Sequence, residues 1–105
     1  MNAQNSSFRL FVLEQLAQIP DLRCRSMFGG HGLYAGEQFF GIIHDDRLYF
    51  RTTVQTRADY VAAGMTFFRP SPRQSLKSYY EVPAAILEDR ERLDRWAGKA
   101  IRASD

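Results

Sequence analysis

This sequence predicts a two-layer α+β sandwich: a mostly antiparallel five-stranded sheet with helices on one face, in the order α-β-β-β-α-β-β-α. The first ground is the run Arg25-Ser26-Met27-Phe28-Gly29-Gly30-His31-Gly32-Leu33-Tyr34, in which three glycines fall within four positions. Glycine gives up the most backbone entropy in a helix, so the run reads as a left-handed or bulged corner that leads into a strand. The second ground is that the following apolar stretches are joined by Gly36-Glu37 and Asp45-Asp46, short connectors that favour antiparallel hairpins. The third is that helical spacing returns before, between and after the strands. Connections this short exclude a parallel doubly wound sheet, which needs long crossovers.

The elements follow in order. Ser6 or Ser7 caps a first helix, along which Phe8, Phe11, Val12, Leu16 and Ile19 repeat at helical spacing. Pro20 stops it, because the residue before a proline is pushed away from helical geometry. Leu22 to Phe28 is a short extended segment outside the five strands. Gly32 to Ala35, Gln38 to His44 and Arg47 to Thr52 are the first three strands. Phe39-Phe40-Gly41-Ile42-Ile43 is apolar on both faces and reads as a central strand. In the third strand Leu48 and Phe50 point one way, and Arg47, Tyr49 and Arg51 the other. Val54 to Ala63 is a second helix, closed by Gly64. Thr66 to Arg69 is a short strand and Pro70-Ser71-Pro72-Arg73-Gln74 a rigid polar loop. Ser75 to Val82 is the last strand, with Leu76, Ser78 and Tyr80 alternating against Lys77, Tyr79 and Glu81. Pro83 suits a first helical turn, Asp89 caps a restart after one preliminary turn, and Ile86, Leu93, Trp96, Ala97, Ala100 and Ile101 form the stripe beyond.

Residues 1–105 read as a single domain, long enough to bury a core. Apolar residues make up 45% of the chain and aromatics 13%, which excludes a disordered tail. No run approaches the ~20 apolar residues a bilayer crossing needs, so no membrane role is expected. Cys24 is the only cysteine, which excludes an internal disulfide and fits a reducing cytoplasm. The net charge is +2, and the surplus lies in residues 1–80, with nine Lys and Arg against six Asp and Glu. That excess implies nucleic-acid binding only if the charges share one face.

MFGGHGLY, then FFGII, DDRLYFRT, AAGM followed by Phe67, YYEVP and a helix bearing Trp96, in this order, resemble the N-terminal domain of the TfoX (Sxy) competence regulators. The resemblance spans Arg25 to Ala100, and the chain is read as a stand-alone copy of that domain. It implies regulation of competence and DNA transformation through the transcription machinery, with a cyclic-AMP receptor protein as the family's partner. It also implies a fold akin to the secretion chaperones, which hold protein segments and form homodimers. It supplies no catalytic residues and no cofactor.

No residue constellation spells out an enzyme. A phosphate loop needs a lysine and a following helix, yet the glycines lead into a strand and the only lysines are Lys77 and Lys99. His31 and His44, with Cys24, Asp45 and Asp46, lack recognised metal-ligand spacing, and Asp45-Asp46 suits a turn. Cys24 lies between Arg23 and Arg25, but alternate side chains on an extended segment point away from it, so it reads as a small buried side chain. The acids of the last helix interleave with arginines as a solvated face. The remaining constellation is Arg47, Tyr49 and Arg51 on one strand and Lys77 and Tyr79 on another. If these faces coincide, the open side of the sheet is basic and carries two tyrosines. Such a side is also the ordinary outer face of a half-covered sheet, where long cations and tyrosines pair across strands. As a functional surface it is the expected contact face of a non-enzymatic, protein-binding domain, since Tyr and Arg are enriched at interfaces. The alternative use of the same face is nucleic-acid binding, with bases stacked on its rings.

Overall fold

Among the described residues six strands form the sheet, one more than the sequence predicts, and the additional one is the segment before the glycine corner. The structure, a computed structural model, describes residues 3–27 and 29–103, apart from the side chains of residues 3–6 and 74. Phe28 and the side chain of Ser6 lie outside the described residues. The order is α1 (Ala3–Gln15), β1 (Leu22–Met27), β2 (Gly30–Ala35), β3 (Gln38–His44), β4 (Arg47–Arg51), α2 (Val54–Ala62), β5 (Phe67–Ser71), β6 (Gln74–Glu81), α3 (Ala84–Leu87) and α4 (Arg90–Ala103). All neighbouring strands are antiparallel, in the spatial order β1-β2-β3-β4-β6-β5. Among the described residues no helix is long and apolar enough to cross a membrane.

β1 pairs with β2 along its whole length, from Leu22 opposite Ala35 to Met27 opposite Gly30. The extended segment before the corner is therefore a full strand, and the glycines mark the first hairpin turn, one strand after the sheet begins. Gly29 has φ 75°, and a side chain on Gly30 would run into the Ile43 carbonyl. Close backbone approach explains the second glycine and left-handed geometry the first. The next two hairpins turn at Gly36 and at Asp45-Asp46, both aspartates having positive φ. These are the residues that tolerate such geometry without a glycine's freedom.

α1 starts upstream of the predicted cap, which places Ser7 inside the helix. Its regular turns end at Gln15 and tighten through Leu16 to Ile19 before Pro20. Val12, Leu16 and Ile19 are buried as the spacing predicts, but Phe11 is 38% exposed. Thr53 caps α2 reciprocally with Thr56, and Gly64 follows that helix with φ 81°. Asp89 caps α4 by accepting the Arg92 N–H at 3.2 Å, so the restart after α3 is real.

β5 runs on through Pro70 and Ser71, and β6 begins at Gln74, so the predicted polar loop contracts to a turn at Pro72-Arg73. β6 crosses to β4 through three residue pairs only: Tyr49 with Glu81, Phe50 with Tyr80 and Arg51 with Tyr79. Just beyond them Thr52, which is buried, donates both its N–H and its hydroxyl to the Ser78 carbonyl, at 2.7 and 2.8 Å. Arg57 of α2 donates to the same hydroxyl at 3.1 Å, which ties the helix to this junction.

The helices cover one face of the sheet. Val12, Leu16, Tyr60, Ile86, Leu93, Ala97 and Ala100 pack there on Leu33, Phe40, Leu48, Phe50 and Val82. Trp96 is only partly buried and meets Tyr60 edge-on, 4.7 Å between ring centroids.

Candidate interaction face

Strand alternation puts Arg47, Tyr49 and Arg51 on the face away from the helices, because Leu48 and Phe50 belong to the helix-side core. The β4–β6 register then sets Arg51 directly opposite Tyr79, so the two predicted strand faces coincide for these four residues. The fifth, Lys77, does not follow the predicted alternation. Leu76 packs in the same outer cluster as Tyr79, three residues on, which period-two alternation forbids. Register shifts between β5 and β6 account for this. Lys77 is exposed, without a paired residue on β4.

This face is not bare. Ile42, Tyr49, Phe68 and Tyr79 are buried in a second apolar cluster, with Phe39 and Leu76 against it and no helical residue among them. The Phe68 ring lies 4.8 Å from Tyr49 and 5.3 Å from His44. In a flat sheet β5 would lie about 14 Å from β3, three strand spacings away. The β5–β6 hairpin must therefore curl over the outer face, and its irregular register permits that bend. Tyr49 and Tyr79 are 8% and 4% exposed as a result. The predicted open tyrosines are the floor of a small core.

Arginines stand around this floor. Arg25 lies over the Tyr34 ring at 5.1 Å, and Tyr34, Phe39 and Tyr79 follow one another with centroids 5.2 Å apart. Arg47 is exposed, 3.9 Å from the Glu81 carboxylate and against the Tyr49 hydroxyl, and both partners push its pKa further up. Burial pushes the Tyr49 phenol up, with Arg47 opposing. Burial likewise raises Tyr79, and the Arg51 charge opposes that rise. The Arg51 guanidinium stands close enough to the Tyr79 hydroxyl to favour its ionised form, but not in hydrogen-bond geometry, so the buried hydroxyl has no bonded partner among the described residues. Sequence reasoning missed Tyr34, Phe39, Phe68 and Leu76. The doublet Phe67-Phe68 was the available signal, since two adjacent strand positions face opposite sides and one phenylalanine must look outward.

The other candidates lie elsewhere. His31, His44, Asp45 and Asp46 line a cavity of about 30 Å³ with Gly29, Gly30 and Ile43, room for little more than a water molecule. Among the described residues no group of three or more His, Cys, Asp or Glu is placed to hold a metal ion. Cys24 packs against the helix-side core, and Arg9 of α1 approaches it and His31. Burial pushes the thiol up more than Arg9 lowers it, the reverse of a reactive cysteine. Burial, then Arg9, lowers His31.

No curated protein matches the chain. A family model does: the TfoX N-terminal domain, over residues 14–104.

Proposed function

We infer function from the premise that this chain belongs to the TfoX N-terminal domain family. It is a competence-related regulatory domain, and we read it as non-enzymatic, acting by protein contact. The observation that carries this reading is the outer face, where Arg25, Arg47 and Arg51 rim an aromatic floor that no described helix covers. Arginine and tyrosine at the edge of a desolvated apolar patch are the chemistry of interface hot spots. Tyr49 and Tyr79 hold that patch in place from below, while the arginines, with half-buried Tyr34 and Phe39, meet the partner. The partner we propose is a protein of the transcription machinery. Nucleic acid fits less well, because bases stack only on accessible rings and the two predicted tyrosines are buried.

Capture of partner from the native host, with wild type and with the Arg47→Glu/Arg51→Glu double variant as bait, tests the reading. Arg47 is exposed and Arg51 half-buried, so the thermal midpoint should move little while capture is lost. Undiminished capture by the double variant refutes the face. Salt-sensitive binding of single-stranded DNA at low ionic strength would favour the nucleic-acid alternative instead.

A further inference from the structure

We propose that the free edge of β1 accepts an acidic, extended segment of a partner protein as a seventh strand. This edge adjoins the arginine-rimmed face and shares Arg25 with it, but strand addition uses the outward backbone groups of β1 and does not depend on what that face binds. β1 is the terminal strand of the sheet, paired on one side only among the described residues. The Gly36 N–H donates to the Asp21 carbonyl at 2.8 Å, which fixes the phase of the ladder. Hydrogen-bonded pairs alternate along an antiparallel ladder, so Arg23, Arg25 and Met27 bond inward to β2. Leu22, Cys24 and Ser26 then aim their N–H and C=O groups outward, the template that an added strand pairs with.

The two edges of the sheet differ. β5, at the far edge, carries Pro70 and two register shifts, devices that block strand addition. β1 has neither; its six residues pair with β2 in one unbroken register.

Charge and shape choose the occupant. Arg23 and Arg25 are exposed on the outer side of β1, and Arg9 approaches Cys24 from the helix side. The acid beside them is Asp21, joined to Arg23 at 3.2 Å in an exposed pair that an incoming carboxylate can replace. Leu22 and Cys24 are half-buried and leave apolar surface on the other side of the strand. The complementary segment therefore alternates acidic residues, facing Arg23 and Arg25, with apolar ones facing Leu22 and Cys24. A second copy of this chain is the poorer occupant. Antiparallel pairing of two β1 strands about Cys24 sets Arg23 of each opposite Arg25 of the other, and like charges directly opposite are destabilising.

The probe is a short fluorescein-labelled peptide alternating valine with glutamate, compared with one alternating valine with lysine, titrated by anisotropy. The glutamate peptide should bind, and bound protein should gain amide-exchange protection at Leu22, Cys24 and Ser26. Ser26→Pro removes one outward N–H but no bond to β2, so it should abolish binding with the melting temperature nearly unchanged. If that variant does not fold, Arg23→Glu/Arg25→Glu carries the test: glutamate-peptide affinity should fall about tenfold or more, and the lysine peptide should bind instead. Arg47→Glu/Arg51→Glu should bind the glutamate peptide as wild type does, which keeps this result separate from the outer-face reading. No binding, equal binding of both peptides, unchanged binding by Ser26→Pro, protection confined to the outer face, or self-association through β1 would each overturn the proposal.

Discussion

Replacing Phe68 with alanine tests whether the β5–β6 hairpin really closes over the outer face. Phe68 is 1% exposed, and its ring meets Tyr49 and His44, side chains of strands that β5 does not pair with. Phenylalanine-to-alanine changes in a core cost about 3–5 kcal/mol, and the low end applies here because the hairpin can settle partly into the gap. A chain of 105 residues unfolds with an entropy of roughly 0.2 kcal/mol/K, so a loss of about 3 kcal/mol lowers the melting temperature by about 14 °C. Phe11→Ala is the control: this side chain is 38% exposed, and its loss should cost under about 1 kcal/mol, or roughly 4 °C. Calorimetry on both variants measures the difference. Removing Phe68 should also uncover Tyr49 and bring its phenol back toward ordinary titration, followed by ultraviolet absorbance. Equal shifts for the two variants would refute the curled hairpin and the enclosed floor that depends on it.

Three other outcomes are expected. Gly30→Ala should destabilise more than Gly29→Ala in urea unfolding, by about 1–3 kcal/mol of overpacking against the Ile43 carbonyl, although Gly29 is the one with positive φ. Tyr79→Phe should be neutral or slightly stabilising, because it removes a buried hydroxyl that makes no hydrogen bond among the described residues; a loss of more than about 1 kcal/mol would show that the hydroxyl is bonded. Burial raises the pKa values of Tyr49, Tyr60 and Tyr79, with Tyr60 shifted most, so the unfolded chain releases these protons first as pH rises. Stability should hold below pH ~10 and fall above it, and Tyr60→Phe should flatten melting temperature against pH in that range.

The local parts of this fold are written in local residues. The turns at Gly36 and Asp45-Asp46, the stop at Pro20, the restart at Asp89 and the inward Leu48 and Phe50 all follow from propensity, capping and period two. β1 was legible in principle, since Leu22, Cys24 and their arginine neighbours alternate, but a strand rich in exposed charge carries little apolar signal. What neighbouring residues do not encode is the joining of β4 to β6, strands separated by a helix and another strand. The sharing of one face by Arg51 and Tyr79 depends on that joining. The burial of Tyr49 and Tyr79 is less local again, because it comes from Phe68 reaching over from a hairpin whose register slips. The same slip brings Leu76 to the outer cluster where alternation predicts Lys77.

The narrow β4–β6 junction joins two stretches of consecutive chain, α1 with the four-stranded meander β1–β4, and α2 with the β5–β6 hairpin, α3 and α4. Three residue pairs, the Thr52–Ser78–Arg57 knot and the Val82 N–H donated to the Leu48 carbonyl at 2.8 Å bond the strands across that junction, and Gln15 of α1 donates to the Leu87 carbonyl at 3.0 Å. Each stretch closes its own hairpins over short loops, whereas the junction requires distant segments to meet, so it is the step expected to come late in folding. Once made, the junction is locked from the helix side, because Leu93, Ala97 and Ala100 of α4 bury themselves against Leu33, Phe40, Leu48 and Phe50 of the meander. The innermost amides of both stretches should therefore exchange together, as one cooperative block.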